Sequence, residues 1–350
     1  MLFDPILELI TYDIGIDLGT ANTLVYMRGK GIVISEPSVV AINKKSKNVL
    51  AVGVEARQMI GRTPANVIAH KPLRDGVISD FDSTQAMIKY FINKVHLYSP
   101  KPLIIPRPRV VVGVPSSVTE VERQAVIDAS KAAGARQVFI VEEPMAAAIG
   151  AELPVEEASG SMIVDIGGGT TDIAVISLGD IVVDKTIQIA GDEMDEDIIN
   201  YVKQKYNLLI GERTAEDVKI AIGSVFPLEE EQKIVIQGRD LLTGLPKSVE
   251  FSSVEVREAI TNSINKITEA IKSAIEETPP ELLSDLINSG VCVAGGGGLI
   301  RGIEKLWEKE LKLPVRVTSD PISAVARGTA KMLDHIALLE KIQKSWDELS

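Results

Sequence analysis

Two stretches of this chain are built to one plan, and that plan limits the folds open to it. Residues 12–26 read YDIGIDLGTANTLVY and residues 161–178 read SMIVDIGGGTTDIAVISL. Each is an apolar run, an Asp, a Gly/Thr turn and a second apolar run. Glycine weakens a strand interior, so three in a row at Gly167, Gly168 and Gly169 need a local reason. The two devices lie about 150 residues apart in a chain of 350. The simplest reading is two related halves, each opening with strand, turn and strand, a size that suits two ordinary domains.

Between and beyond these devices, apolar β-branched runs alternate with helical patterns, the mark of an α/β fold. Strand-like runs include IGIDL, TLVYM, GIVIS, SVVAI, RVVVGV, QVFIV, SMIVDI, DIAVISL, IVVDKTIQI, QKIVIQG and GVCVAGG. A helix is expected after Thr119, because Thr119 with Glu122 three residues on makes a capping box and Gly134 sits where a left-handed stop belongs. Val121, Ala125, Ala129 and Ala132 keep helical spacing there and are expected to be buried. A second helix is expected from Pro144, a third over roughly 254–277 before Pro279 and Pro280, and a last from about Ala324 to Leu349. Cys292 is the only cysteine, which excludes intrachain disulfides and Cys-based zinc sites; it reads as a small buried residue of a strand. The formal net charge of −12 argues against a nucleic-acid partner.

A turn of Gly, Thr and Asn presents backbone N–H groups with little side-chain obstruction. Such groups form concave anion sites, and glycine admits a phosphate close to the chain. Gly19, Thr20, Ala21 and Asn22 in the first device, and Gly167, Gly168, Gly169, Thr170 and Thr171 in the second, therefore read as phosphate grips. Either alone could be an ordinary turn; two in one chain, each led by an Asp, could hold one polyphosphate between two domains. Asp17 and Asp165 would then be unfavourable beside the phosphates without a cation. Mg²⁺ held through water fits that requirement, although each Asp could also cap its own turn. The turns lead into strands rather than helices and lack GxxxxGK[ST], so this is neither a P-loop nor a dinucleotide fingerprint. A third cluster, Ala294 to Leu299 with Gly295, Gly296, Gly297 and Gly298, suits close approach to a base or ribose, or is a tight strand-to-helix turn. Glu216 and Lys219, one helical turn apart, form a surface ion pair or contact a nucleotide. Glu143 lies between a strand and a helix, where it caps the helix or orients a water for attack on a γ-phosphate.

Two phosphate hairpins with leading Asp residues plus a glycine-rich adenosine motif resemble the superfamily of actin, the DnaK-type chaperones and the sugar kinases. Within it, IDLGTANTLVYMRGKGIV, EPSVVAI, RDGVISDF, VEEPMAAAIGAELPVEEASGSMIVDIGGGTTDIAVISLG, IAGDEMDEDIINYV, IGERTAEDVK, TGLPK and TPPEL are similar to the bacterial actin MreB family over about residues 13–340. The resemblance implies an α/β fold of two related actin-like, ribonuclease-H-like domains with a nucleotide cleft between them, each with a smaller inserted subdomain. The halves are expected at 1–156, with an insertion at about 32–80 and completed by a helix over 325–350, and at 157–324, with an insertion at about 191–255. It also implies a slow ATPase that binds ATP/ADP and Mg²⁺ and forms homopolymer filaments on the inner face of the bacterial membrane, organising cell-wall synthesis and rod shape with membrane proteins of the wall-elongation machinery as partners. Carried over by residue, Thr20, Ala21 and Asn22 belong to one grip and Gly167, Gly168, Gly169 and Thr170 to the other. Glu216, Lys219, Gly296, Gly297, Gly298 and Leu299 hold adenosine, Asp17 and Asp165 face Mg²⁺ through water, and Glu143 with Thr170 is catalytic. Asp172 departs from the family pattern, where Glu follows the Thr pair. The γ-phosphate would bias rotation of one half against the other.

Two segments suggest a membrane surface. At about 100° per residue, Leu2, Phe3, Ile6, Leu7, Leu9 and Ile10 fill one arc of a short helix starting at Asp4-Pro5. In SPKPLIIPRPRV the prolines forbid helix, leaving Leu103, Ile104 and Ile105 on a loop flanked by Lys101, Arg107 and Arg109, suited to an anionic inner-membrane surface. Packing on the protein's own body is the alternative for both. No apolar run approaches the ~18 residues of a membrane span, and the N-terminus lacks a signal peptide's basic region, so a cytoplasmic protein peripheral to the membrane is expected. A small-molecule kinase or a chaperone-type ATPase of the same superfamily is the alternative function; the first would need an acceptor motif and the second a peptide-binding domain.

Overall fold

The computed structural model describes residues 13–98 and 107–335. The chain divides into two compact units, one running up to Leu153 and resuming at Ser323, the other spanning Pro154–Ile322. The segments that carry Leu2, Phe3, Ile6, Leu7 and Ile10, and Leu103, Ile104 and Ile105, lie outside the described residues.

The first unit contains β1 (Ile14–Leu18), β2 (Asn22–Met27), β3 (Gly31–Pro37), β4 (Val40–Asn43), β5 (Val49–Val52), α1 (Val54–Met59), β6 (Val67–His70), β7 (Leu73–Arg74), β8 (Val77–Ile78), α2 (Phe81–Leu97), β9 (Arg109–Val114), α3 (Glu120–Ala132), β10 (Gln137–Glu142) and α4 (Glu143–Gly150). Its main sheet has the order β10-β9-β1-β2-β3. β1, β2 and β3 form an antiparallel meander, whereas β9 and β10 run parallel to β1. Strands β5, β4 and β6 make a separate small sheet.

The second unit contains β11 (Ser161–Ile166), β12 (Thr171–Ser177), β13 (Asp180–Ile187), α5 (Gly191–Tyr206), β14 (Leu208–Leu209), α6 (Glu212–Ile222), β15 (Lys233–Asp240), β16 (Pro246–Ser252), α7 (Ser253–Glu277), α8 (Pro280–Ser289), β17 (Val291–Ala294), α9 (Ile303–Leu311) and β18 (Val315–Val317). Its main sheet, β13-β12-β11-β17-β18, repeats the plan of the first: a three-strand meander, then two parallel strands on the far side of the opening strand. Strands β14, β15 and β16 form its own small sheet. The chain then returns to the first unit with α10 (Ala324–Met332).

Position in these sheets explains composition. β1 and β11 are central and covered on both faces, so they read as nearly unbroken apolar runs, and every residue of SMIVDI is buried. The edge strand β13 alternates, with Val183 buried between exposed neighbours. Ile14, Ile16, Val110 and Val112 lead into one core with Phe91; Val164, Ile173, Phe251 and Trp307 belong to the other. Each large side chain so buried contributes about 2 kcal/mol. Trp307 Nε1 donates to Thr268 Oγ1 at 3.0 Å, so its polar atom is satisfied inside the core.

Both α3 and α7 open with full capping boxes, at Thr119/Glu122 and Ser252/Glu255. The buried face of α3 differs from the sequence expectation. Val121 is 79% exposed and Ala132 is exposed, while Val126, Ile127, Ala129 and Ser130 face the core. Alanine stands comfortably on either face, so the bulkier Val126–Ile127 pair sets the rotation of the helix. Helices α4 and α10 nearly touch. A Cβ on Gly328 would fall 1.8 Å from Ala146 O, and one on Gly150 would fall 1.8 Å from Ala324 O. Arg327 donates to Gly150 O at 3.2 Å and to Ser323 Oγ at 2.6 Å, capping α4 from α10.

Candidate nucleotide-binding hairpins

The two Asp-led devices fold as equivalent hairpins. In the first, β1 and β2 pair from Ile14↔Met27 to Leu18↔Thr23, leaving Gly19, Thr20, Ala21 and Asn22 as the turn. In the second, β11 and β12 pair from Ser161↔Ile176 to Ile166↔Thr171, leaving Gly167, Gly168, Gly169 and Thr170. The glycine two residues after each Asp is demanded by the turn itself. A Cβ on Gly19 would meet Asn22 O at 2.7 Å, and one on Gly167 would meet Thr170 O at 3.2 Å.

Each turn is braced by its carbonyls. Ser38 Oγ donates to Gly19 O at 2.6 Å and Ser38 N donates to Ala21 O at 3.0 Å. Thr23, fully buried, stands 2.8 Å from Ser38 Oγ and fixes that hydroxyl. In the second hairpin the braces come from the start of α5: Gly191 N donates to Gly167 O at 3.2 Å and Asp192 N donates to Gly168 O at 2.7 Å. Thr171 Oγ1 donates to Ile189 O at 2.7 Å, the counterpart of Thr23. With the carbonyls taken, the turn amides remain. Among the described residues no protein acceptor stands opposite the N–H groups of Thr20, Ala21, Gly168 and Gly169. Thr20 is buried and Gly169 is buried. A buried N–H without a partner costs about 1–3 kcal/mol, and several pointing out of one turn make an anion nest. Thr20 Oγ1 also accepts from Gly76 N at 3.2 Å, tying the first turn to the β7–β8 loop.

The acidic residues sit beside these turns. Asp17 is in register with Gly113 of β9, at the carboxyl ends of parallel strands, the usual ligand edge of an α/β sheet. Burial pushes its carboxyl up to about 7. Glu143, the first residue of α4, is buried and its Cγ lies 3.4 Å from where a Gly113 Cβ would be. A side chain at 113 would strike Val325 at 2.9 Å as well, so Gly113 is the gap that lets Glu143 reach the sheet end that carries Asp17. Asp165 is buried at the matching place in β11, in register with Ala294 of β17 and, across the hairpin, with Asp172. Asp172 accepts from Thr186 Oγ1 at 2.6 Å and is itself buried.

The third glycine cluster packs on the second hairpin. Gly295 has φ +76°, and a Cβ there would meet Ile166 O at 2.2 Å and Asp165 Oδ1 at 2.4 Å. A Cβ on Gly297 would meet Ile166 Cγ2 at 2.3 Å. These two glycines are therefore required by the protein's own strand. Gly296 has open space around its Cβ position, and Leu299 is 56% exposed on the same 3-10 turn. On α6, Lys219 Nζ lies 2.9 Å from Asp195 Oδ1 of α5 and donates to Gly191 O at 2.5 Å. Burial pushes the Asp195 carboxyl up to about 6 against the pull of Lys219, and the charges of Glu216 and Asp192 add to the rise. Asp195, Gly191 and Ser38 received no role from sequence. The signal available was a Gly-Asp pair between a strand and an amphipathic helix in IAGDEMDED, and Ser38 directly after Glu-Pro. Among the described residues no group of three or more His, Cys, Asp or Glu is placed to hold a metal directly.

A duplicated meander-plus-parallel sheet, each copy opening with an Asp-led Gly/Thr hairpin, defines an actin-like protein. The fold is that of the MamK double helical filament subunit, at TM-score 0.78 and 23% identity, covering 93% of this chain and 99% of that one. The model of the MreB/Mbl protein family matches residues 11–341, and the chain belongs to that family. It is 51% identical over 329 residues to the cell shape-determining protein Mbl of Bacillus subtilis, covering 94% of this chain and 98% of the relative. It superposes at TM-score 0.88 and 41% identity on the crystal structure of MreB 5 of Spiroplasma citri bound to AMPPNP, covering 96% of this chain and 99% of that one.

Proposed function

We propose that this chain is an ATP-dependent, filament-forming cytoskeletal protein with a slow ATPase, working at the inner face of the bacterial membrane in cell shape and wall synthesis. The observation that carries the reading is the pair of equivalent hairpins whose turn carbonyls are braced from within and whose turn amides are left for an anion. Family membership supports it, as does a 41% identical relative crystallised with AMPPNP.

In this reading Gly19, Thr20, Ala21 and Asn22 grip the phosphates together with Gly167, Gly168, Gly169 and Thr170. Glu216 and the turn of Gly296, Gly297, Gly298 and Leu299 hold the nucleoside. The raised Asp17 carboxyl and the buried Asp165 fit a water-held Mg²⁺, which supplies charge neutralisation for the phosphates. Glu143, with Thr170, orients the attacking water. Self-association into filaments is the output. The acceptance test is right-angle light scattering and pelleting with Mg-ATP, Mg-ADP and no nucleotide. Polymer that forms with Mg-ATP and declines on hydrolysis is expected; scattering indifferent to nucleotide rejects the reading.

Membrane attachment rests on the apolar arc Leu2, Phe3, Ile6, Leu7 and Ile10 and on Leu103, Ile104 and Ile105 between basic residues. Ile104→Glu combined with removal of residues 1–11 should abolish pelleting with anionic liposomes while ATP binding persists. Undiminished pelleting removes the membrane assignment. Among the described residues no helix is long and apolar enough to cross a membrane.

A further inference from the structure

Two stretches of the second unit lie side by side: the exit from α6 and the exit from the glycine turn Gly296–Leu299. Ser224 forms a parallel bridge with Arg301, and Val225 N donates to Arg301 O at 2.9 Å. Arg301 Nη1 reaches back to Gly223 O at 3.4 Å, on the residue that ends α6. Gly302 has φ +84°, and a Cβ there would stand 2.5 Å from Phe226 Cβ, so the seam closes with no room for a side chain. The helix that carries Glu216 and the turn that carries Leu299 are therefore joined at their ends.

One side chain holds this seam from outside. Arg257, in the second turn of α7, has Nη2 2.8 Å from Ser224 Oγ, 2.8 Å from Glu231 Oε1 and 3.0 Å from Glu231 Oε2. Two hydrogens serve these three acceptors, one for the buried Ser224 hydroxyl and one shared by the carboxylate. Glu231 is fixed in turn. It accepts from Ser253 Oγ at 2.5 Å and from Leu228 N at 3.2 Å. The Ser253 hydroxyl first, then Arg257, hold its carboxyl below the usual carboxylate range. Ser253 N donates to Gln232 O at 2.9 Å, and Gln232 N donates to Ser253 Oγ at 2.9 Å. These residues adjoin the Lys233↔Ser252 pair, where β15 enters the small sheet and β16 leaves it. Arg257 so spans the root of the small sheet and the seam beside the glycine turn.

Hydrogen bonds from a guanidinium to a carboxylate are stronger than neutral ones, and the planar fork fixes their geometry. We propose that Arg257 is a positioning residue for the nucleoside: through Ser224 it sets the Ser224–Arg301 seam, and with it the spacing between α6 and the Gly296–Leu299 turn. This rests on the nucleoside reading of that turn and of Glu216, and it deepens that reading by making the root of the small sheet a support of the nucleoside site.

The test separates the nucleoside from the phosphates. Calorimetry on the full chain would compare Mg-ADP and Mg-pyrophosphate in the wild type, Arg257→Met and Ser224→Ala. A loss of about tenfold for Mg-ADP is expected in both variants, the size of one charge-assisted hydrogen bond, with Mg-pyrophosphate affinity unchanged. Equal losses for the two ligands, or Mg-ADP affinity as in the wild type, would overturn the inference. Amide hydrogen exchange over residues 223–226 and 298–302 in nucleotide-free protein is the second readout. Faster exchange in both variants is expected, and an unchanged rate overturns the role of Arg257 in the seam. Should Arg257→Met not fold, Ser224→Ala and Glu231→Gln carry the same comparisons. Wild-type protein that binds Mg-ADP no better than Mg-pyrophosphate overturns the nucleoside reading itself, whereas the exchange measurement still judges the seam.

Discussion

Replacing Asp17 by Asn should make the nucleotide-free protein more stable above neutral pH. Burial raises the Asp17 carboxyl from 3.8 to about 7 in the folded chain. Between roughly pH 4 and 7 the folded chain therefore keeps a proton that the unfolded chain has released, so stability falls as pH rises through that interval and the penalty is complete above it. Three pH units correspond to ~4 kcal/mol at most. The side chain retains some exposure to solvent, and screening brings the expected cost to ~2 kcal/mol. Asparagine keeps the shape and removes the ionisation. Thermal unfolding of wild type and Asp17→Asn at pH 5, 6, 7 and 8 should then give curves that converge at the acid end. They should separate by about 4–8 °C at pH 8 in favour of the variant, for a unit of this size. The same substitution should weaken Mg-AMP-PNP binding, because stability and function pull apart at a site built around a costly charge. A difference in unfolding temperature that does not change with pH, or a variant less stable at pH 8, would refute the reasoning.

Glycine placement offers a contrast within one turn: Gly297→Ala should cost ~2 kcal/mol by driving a methyl into Ile166, while Gly296→Ala should stay within ~0.5 kcal/mol, both read from urea midpoints. Gly328→Val should cost ~3 kcal/mol or more, because Ala146 O on α4 already occupies the side chain's space, and a midpoint within error of wild type would show that the two helices part easily. Cys292 is buried in β17, and burial pushes its thiol up; it should resist a disulfide reagent in native protein and react fully in denaturant.

The hairpins are legible in sequence because their determinants are local. An Asp, a Gly two residues on, hydroxyl residues and two apolar runs specify strand, turn and strand within a span of fifteen or so residues. The capping boxes at Thr119 and Ser252 belong to the same class, one overlooked only because Ser252 follows the strand PKSVEFS, whose polar alternation hides an edge strand. What escapes is non-local. Ser38 and Gly191 act on turns far from them through backbone atoms, and a backbone donor leaves no mark of residue type. Gly113 and Gly295 are set by neighbours that meet only after folding. Val121 shows the converse failure: an apolar residue at helical spacing that the rotation of α3 turns to the surface.

In the proposed function both hairpins serve one nucleotide. Calorimetric titration of the chain with Mg-AMP-PNP, in wild type, Gly19→Ala and Gly167→Ala, measures this directly. One site per chain, weakened by either substitution, is the predicted result. Two independent sites, no site, or a hairpin variant that binds as wild type would contradict it.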